Sequence, residues 1–408
     1  MQLDALTRGR GRAYSLAILG ALTTFGPMAI DLYLPAFPDV AVDLGVSVTT
    51  VPLTLTTSMI GMGVGQFLYG PLSDRYGRKK PMMVGLILFT VASVACALAP
   101  TFGVLLITRF FQSLGGAAGV VIARAIVRDL YQGKELAKAL SIVVMVFAFA
   151  PIFAPTLGAV LLTFGGWRSL FYFLAIFGIA CMAASLQIPE TLLPERRTDH
   201  GIASAVHVYA RIVVDSRFLA PAMLIGFTYV ILFSFISTSP AVLIDFFGLG
   251  ELPFAVLFGF LSFCFALGAP INRRLLNSFS MQQLIRALVG LQLVASMILL
   301  WTALITPNLW VVTAAIGLGM FTVGAVSANA TALCLDPFPG AAGSAAALVG
   351  VFGMAVGAIV SSMLVAISMP VVTELGTAMF FGAVAGALML PFLSERRRRA
   401  KADAAEIS

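Results

Sequence analysis

Long runs of apolar residues alternate with short polar turns along nearly the whole chain. A helix that crosses a lipid bilayer needs about 20 mostly apolar residues, and the 408 residues hold about a dozen such runs. The pattern predicts twelve membrane-spanning helices, named spans 1 to 12 in chain order. Their predicted ranges are 14–35, 50–70, 81–99, 103–124, 138–162, 168–188, 218–239, 253–271, 282–303, 308–331, 342–367 and 372–393.

The longest polar stretch, residues 189–217, lies between spans 6 and 7. It divides the spans into two sets of six, as in transporters built from two similar helical bundles around a binding site near mid-membrane. The predicted fold class is therefore all-α and integral to the membrane. The predicted parts are an N-terminal six-helix bundle at 1–188, a central cytoplasmic loop at 189–217, a C-terminal six-helix bundle at 218–393 and a basic cytoplasmic tail at 394–408.

The composition supports this fold class. Hydrophobic residues make up 60% of the chain and charged residues 11%, whereas soluble domains are about half apolar and about a quarter charged. The net charge of +7 is spread over short clusters between the apolar runs, so we expect no nucleic-acid partner. The four cysteines lack the spacing of a zinc site, and both histidines lie in the central loop. We therefore predict no metal site and no enzyme.

The lysines and arginines test the topology, because cytoplasmic loops of membrane proteins carry an excess of both. With the N-terminus inside the cell, all but two of the 25 fall in predicted cytoplasmic segments. The two exceptions are Arg109 and Arg168, and the predicted outer loops carry acids instead. Both termini are therefore predicted to be cytoplasmic. The loop at 335–340 is a weak point, because it should be cytoplasmic but has no basic residue.

The loop after span 2 combines glycines, one acid and a basic cluster at close spacing. Gly70 permits close helix approach, Gly77 permits a turn with positive φ, and the basic side chains must stay outside the bilayer. A loop that only obeyed the positive-inside rule would not need the glycines and Asp74. We interpret it as a charged latch at one membrane face. The segment is Gly70-Pro71-Leu72-Ser73-Asp74-Arg75-Tyr76-Gly77-Arg78-Lys79-Lys80.

Asp31 lies in the outer part of span 1. An ionisable side chain within the membrane is costly and is a functional candidate by default. Asp31 is the acid that the pattern places inside a span rather than near a span end, so we interpret it as the principal proton-coupling group. The alternative is an acid that merely caps the helix before Pro35.

Arg109 lies in span 4, and three polar or small residues share its helix face. A rise of 1.5 Å per residue places Arg109 and Asp31 within about one helical turn of the same depth. Since an arginine does not lose its proton in proteins, we expect Asp31 to be its partner and interpret Asp31 and Arg109 together as the proton-coupling residues. The alternative is a structural arginine that ties helices together. The residues sharing its face at i+3, i+4 and i+7 are Gln112, Ser113 and Gly116.

Aromatic and polar side chains of the spans are candidates for binding a transported solute in an apolar pocket. Such side chains also pack between helices or face lipid, so this assignment is the least constrained by the sequence. The candidates are Tyr33, Gln112, Phe149, Phe153, Phe233 and Asn329.

Several of these segments together resemble the major facilitator superfamily. The loop after span 2 matches its signature loop, Gly-x-Leu-x-Asp-Arg-x-Gly-Arg-Lys, at every defining position. Span 4 resembles its Arg-x-x-Gln-Gly motif, with Ser113 in place of the first glycine. Span 5 resembles the Gly-Pro-x-x-Gly-Gly element of its antiporters around Pro155, with alanine in place of both outer glycines. A generic proline kink is the alternative there.

Other segments are similar to one group within this superfamily, the bicyclomycin and chloramphenicol resistance (Bcr/CflA) drug:proton antiporters. These segments are Asp31–Pro35, Arg128–Tyr131, Pro189–Thr191 and Ser327–Ala330.

The resemblance implies an exporter of small, mostly neutral drugs in the bacterial inner membrane, driven by protons and without a cofactor. It also implies that Asp74 and Arg78 help to close the cytoplasmic side, with Asp129 as the acidic partner of Arg78. Gly70, Arg75 and Gly77 complete this predicted latch. We expect a monomer in the lipid bilayer, and its partners are the drug and protons.

Two alternatives stay open. One is a transporter of the same fold for a metabolite such as an amino acid or a sugar. Such a transporter would place more polar groups in the second-half spans, which hold few beyond Asn329. The other is a membrane enzyme or a channel, and an enzyme would need a constellation of catalytic residues that the sequence does not offer.

Overall fold

The computed structural model describes residues 9–131, 133–197, 209–338, 342–365 and 369–406. Every regular element within these ranges is helical, which confirms the predicted all-α fold. The helices are Gly9–Thr23, Phe25–Asp31, Phe37–Asp43, Leu53–Tyr76, Lys79–Ala97, Phe102–Leu130, Gly133–Ser185, Ser216–Pro240, Glu251–Leu275, Met281–Ile305, Leu309–Leu335, Ala342–Val365 and Val371–Glu406. Short turns of 3-10 helix lie at Leu34–Ala36, Val48–Thr50 and Pro194–Arg196, and a π-helical turn lies at Ala241–Phe246.

The number of spans follows from the lengths of these helices. Ten of the described helices are long and apolar enough to cross a membrane, and the bent pieces of span 1 bring this number to eleven. One of the ten covers residues 145–185, a length of 41 residues. That is about 60 Å of helix, twice the bilayer core of about 30 Å. The backbone leaves the helical conformation at Gly165 and Gly166, so this stretch supplies spans 5 and 6 and completes the twelve.

Span 1 consists of three helical pieces because two prolines interrupt its hydrogen bonding. Pro27 cannot donate the backbone hydrogen bond that a helix would direct to Thr23, and Pro35 cannot donate to Asp31. The chain bends by 43° at the first break, between residues 11–23 and residues 25–43. The hydroxyl of Thr24 donates to a carbonyl of the preceding turn at 2.8 Å. Asp31 consequently ends a short helix instead of lying within a continuous one.

Glycines let neighbouring spans approach closely. A Cβ on Gly61 of span 2 would overlap the carbonyl oxygen of Phe110 in span 4. In span 11, a Cβ on Gly357 would meet the ring of Phe233 at 2.5 Å. Small residues at both positions thus let the neighbouring helices pack closely, as is common in membrane proteins.

The described residues divide into two compact units. The first lies within Met1–Ala205 and Gly250–Gly259, and the second lies within Val206–Leu249 and Phe260–Ser408. The first unit contains spans 1 to 6, which carry the predicted latch and the predicted proton-coupling residues. The candidates Phe233 and Asn329 belong to the second unit.

Candidate functional site

The loop after span 2 brings together three charged side chains, Asp74, Arg78 and Asp129, which we call the latch cluster. Gly77 turns the chain with a φ of 86°, a value that glycine adopts without steric cost. Nε of Arg78 donates to Oδ2 of Asp129 at 2.9 Å, and Nη1 of Arg78 forms an ion pair with Asp74. Nη1 also donates to the hydroxyl of Ser73 at 3.0 Å. The predicted pairing of Arg78 with Asp129 is confirmed, and the ion pair with Asp74 is an additional contact.

The guanidinium of Arg78 is buried in this cluster, with 5% of the residue exposed. Burial alone would lower its pKa. The hydrogen bonds to Asp129 and Asp74 outweigh this effect, and the pKa of Arg78 is raised above its ordinary value. Arg78 therefore keeps its positive charge at any physiological pH, and the cluster is held by charge-assisted hydrogen bonds.

Two other predicted members of the latch, Gly70 and Arg75, lie beside the cluster. Gly70 contributes a backbone carbonyl, which accepts from the hydroxyl of Ser73 at 2.9 Å. Arg75 is exposed and stacks over the ring of Tyr76 at 5.3 Å. Their predicted role in closing the cytoplasmic side stays a prediction.

The guanidinium of Arg109 is completely buried between spans 1 and 4. Its Nη1 donates to the carbonyl oxygen of Ala29 at 2.8 Å and to Oε1 of Gln112 at 2.6 Å. The guanidinium also lies 5.0 Å from the ring centre of Tyr33 and 5.6 Å from that of Phe171. Contacts of this kind with ring faces stabilise a cation.

The expected pairing of Asp31 with Arg109 is wrong for this structure. Among the residues that the structure describes, the two form no ion pair, although Asp31 is also buried, with 4% of it exposed. The physical reason is that a neutral carbonyl of span 1, that of Ala29, occupies the place at Arg109 that was expected for the acid. Nε and Nη2 of Arg109 find no hydrogen-bond partner within the described residues.

Gln112 extends the buried polar contacts of Arg109 to span 3. Its Nε2 donates to the hydroxyl of Ser93 at 2.8 Å, and all three residues are fully buried. The shared helix face of Arg109 and Gln112 is thus confirmed, and it points into the unit. Ser93 was not predicted, because one small polar residue within an apolar run gives no signal in the sequence.

Spans 1 and 5 line a cavity of about 320 Å³ that is open on one side, where Phe149 and Phe153 are 46% and 64% exposed. Phe149 and Phe153, two of the predicted solute contacts, line it with their ring centres 6.4 Å apart. Eight of the nine lining residues are apolar, and the ninth is Thr24 at the bend of span 1. The full set is Thr24, Met28, Met145, Val146, Phe149, Ala150, Phe153, Ala154 and Leu157.

The other predicted solute contacts lie elsewhere. Tyr33 is fully buried, with its ring 5.2 Å from Phe37, and Gln112 holds Arg109 as described. In the second unit, Phe233 is buried with 6% of it exposed. Asn329 pairs with Asn272 through two reciprocal amide hydrogen bonds of 2.8 Å. None of these four lines the cavity of the first unit, and their role in binding stays a prediction.

Span 5 stays helical through both of its prolines, because the non-helical backbone within this helix is at Gly165 and Gly166. The close contact of the segment comes from Gly158. A Cβ there would overlap the carbonyl oxygen of Leu32 and would lie 3.4 Å from Pro35. The antiporter-like segment of span 5 therefore packs directly on the interrupted part of span 1.

Comparisons with known proteins agree with this geometry. Residues 17–362 match the profile of the Major Facilitator Superfamily. The uncharacterized MFS-type transporter YdgK of Bacillus subtilis (strain 168) is 34% identical over 392 residues, which cover 95% of this chain and 97% of the relative. The bicyclomycin resistance protein homolog of Haemophilus influenzae is 30% identical, over 94% of this chain and 96% of that protein.

A solved structure supports the fold independently. The crystal structure of a D-xylose-proton symporter superposes with a TM-score of 0.75 at 16% identity, covering 93% of this chain and 96% of the other. At this identity, the likeness concerns the fold alone.

Proposed function

This chain belongs to the major facilitator superfamily, a superfamily of transporters rather than enzymes, and we propose that it is a proton-driven drug antiporter. It exports small, mostly neutral drugs, such as compounds like chloramphenicol or bicyclomycin, across the bacterial inner membrane. Transport proceeds by alternating access, with both termini in the cytoplasm and without a cofactor. The 30% identity to a bicyclomycin resistance protein homolog supports this substrate class.

The observation that carries the proposal is the position of Asp31 relative to the apolar cavity. Met28 lines the cavity, and Asp31 follows it by three residues in the same short helix. Residues at i and i+3 share a helix face, so the acid lies one turn beyond the cavity wall. A neutral drug in the cavity and a proton on Asp31 would thus act on the same short helix of span 1.

Asp31 suits proton coupling better than Arg109 does. A carboxyl group gains and loses a proton in the normal pH range, whereas a guanidinium remains protonated. If the transporter opens alternately to the two sides of the membrane, water reaches the carboxyl group of Asp31 in one conformation and not in the other. Its proton affinity then differs between the two conformations, which is the requirement for driving export with a proton gradient.

The test compares Asp31→Asn with wild type in proteoliposomes that carry an imposed pH gradient. We expect the variant to bind drug but to lose uphill drug accumulation and drug-induced proton release, because asparagine cannot titrate. Asp39→Asn is the matched control, since Asp39 is an exposed acid in the helix Phe37–Asp43 that follows span 1. Undiminished proton-coupled accumulation by Asp31→Asn would overturn the assignment and leave Asp31 as a helix cap.

The same proteoliposomes distinguish the alternative, a metabolite transporter of this fold. The substrate panel includes sugars and amino acids beside chloramphenicol and bicyclomycin. Gradient-driven movement of a sugar or an amino acid, without movement of any drug, would contradict the proposed substrate class.

A further inference from the structure

The segment Ile188–Leu192, which leaves span 6, is packed against the latch cluster. The carboxylate of Glu190 accepts hydrogen bonds from the backbone N–H of Arg78 at 2.8 Å and of Lys79 at 3.1 Å. It also accepts from the N–H of Leu192 at 3.0 Å. Ile188 and Leu192 are buried, with 2% and 7% exposed, so apolar contacts anchor the segment on both sides of Glu190.

Glu190 caps the N-terminus of span 3. Span 3 begins at Lys79, and the preceding Arg78 provides no side-chain cap. The first N–H groups of a helix have no partner within the helix, and they carry a partial positive charge that favours an anion. Glu190, 112 residues from Arg78 in the sequence, supplies this anion.

The contact with Glu190 gives a second structural reason for a glycine at position 77. A Cβ at this position would press against the carboxylate of Glu190 and would lie 3.1 Å from the guanidinium of Arg197. The missing side chain therefore makes room for Glu190 directly beside the turn that presents Arg78.

Thr191 reaches the other side of the latch cluster. Its hydroxyl donates to Oδ2 of Asp129 at 2.9 Å, the same oxygen that accepts from Nε of Arg78. Thr191 is 8% exposed. Two consecutive residues of the segment thus hold the backbone of Arg78 and the carboxylate of its acidic partner.

We propose that Glu190 and Thr191 are positioning residues of the latch, and that the start of the central loop holds the latch cluster together by docking on it. Release of this segment would expose the N-terminus of span 3 and free Asp129 on one side. Because the central loop continues into the second unit along the chain, its docking is one route by which movement of that unit reaches the latch. The inference concerns the latch and holds whichever solute is transported.

The charge of Glu190 agrees with this role. Burial acts to raise its pKa, but the backbone N–H groups of Arg78, Leu192 and Lys79, together with the positive charge of Arg197, more than compensate. The pKa of Glu190 is therefore lowered, and the side chain is ionised at neutral pH.

Hydrogen–deuterium exchange of the purified full-length protein tests the docking directly. We expect Glu190→Gln to make amide exchange about tenfold faster in the peptide covering residues 76–82, because hydrogen bonds to a charged acceptor are lost. Glu195→Gln is the matched control, since Glu195 is an exposed acid of the same loop. Unchanged exchange in Glu190→Gln, or an equal increase in Glu195→Gln, would overturn the proposal.

A transport measurement distinguishes positioning from a merely structural role. If Glu190 acts through Arg78, then Glu190→Gln should slow export in the wild-type background but have no further effect in an Arg78→Ala background. Losses that add in the double variant would contradict the positioning role. Unchanged exchange in peptides of span 9 shows that each variant is folded.

The exchange and transport measurements also separate this inference from the proposed function. If no drug is exported by the wild type, the proposed function fails. The exchange measurement still decides whether Glu190 holds the latch. Thr191→Val, which keeps the shape but removes the hydroxyl, should weaken protection around Asp129, whereas Thr191→Ser should retain it.

Discussion

At the scale of single residues, Arg109 is the most demanding group in the first unit. It is fully buried, and a buried charge is tolerated in the membrane only where polar groups compensate it. The compensation here is neutral: one backbone carbonyl, the amide of Gln112 and two aromatic faces. This arrangement depends on the shape of the guanidinium, because Nη1 donates two hydrogen bonds while the flat group lies over two aromatic rings.

We expect Arg109→Lys to reduce drug export by about tenfold or more, since lysine presents a single charged point and forfeits a hydrogen bond to a charged group. Export into inverted membrane vesicles measures the effect, normalised to the amount of protein in the membrane. Arg128→Lys is the control, because Arg128 is exposed near the C-terminal end of the same helix. Normal export with Lys, Gln and Ala at position 109 would show that Arg109 has no role in transport.

The sequence predicts the contact of Arg109 within its own helix, because helical periodicity determines it. It does not predict the contact with span 1, because that contact depends on the breaks in span 1. A period of 3.6 residues fixes Gln112 on the face of Arg109, and the structure confirms it. The partner of Arg109 on span 1 depends on the angle by which the chain turns at Pro27 and Pro35. The spacing of residues in the sequence does not determine that angle. Similarly, no local pattern relates Glu190 to Arg78, because the two are 112 residues apart.

At the scale of elements, the contact between spans 1 and 5 depends on one glycine. Gly158 allows span 5 to lie directly on the carbonyl of Leu32, where span 1 is interrupted. The two prolines of span 5 drew attention to this segment in the sequence, but the helix passes through both of them. The structure therefore shows close packing at Gly158 in the antiporter-like segment.

We expect Gly158→Ala to destabilise the protein by about 1–3 kcal/mol, the usual cost of forcing extra atoms into a packed contact. It should also slow export, because spans 1 and 5 would separate at the cavity. Thermal unfolding of the detergent-purified protein measures the first effect. Gly290→Ala is the control, since a Cβ at this helical position meets nothing within 4 Å. Equal stability of the two variants would show that the contact is easily relieved.

At the scale of the whole molecule, the count of twelve spans was predictable because composition and run length alone determine it. The two arginines that departed from the charge rule now have separate explanations. Arg109 is buried within span 4. Arg168 donates to Asp43 at 2.6 Å and stacks on Trp167 at 4.2 Å. A local acid thus compensates the basic residue that is expected on the outer side, and the overall asymmetry of charge is preserved.

This asymmetry leads to the expectation that both termini and the loop at 335–340 are cytoplasmic. Reporter fusions test it, because alkaline phosphatase is active only outside the cytoplasm and a fluorescent protein matures only inside. Fusions after Pro100 and Pro307 should show phosphatase activity, whereas fusions after Phe338 and Ser408 should fluoresce.

The fusion after Phe338 is the most stringent, since that loop has no basic residue to retain it. Its orientation must come from the spans on either side, as charge bias in the flanking loops sets the topology of the chain. Phosphatase activity at Phe338 or at Ser408 would contradict the twelve-span topology with both termini inside the cell.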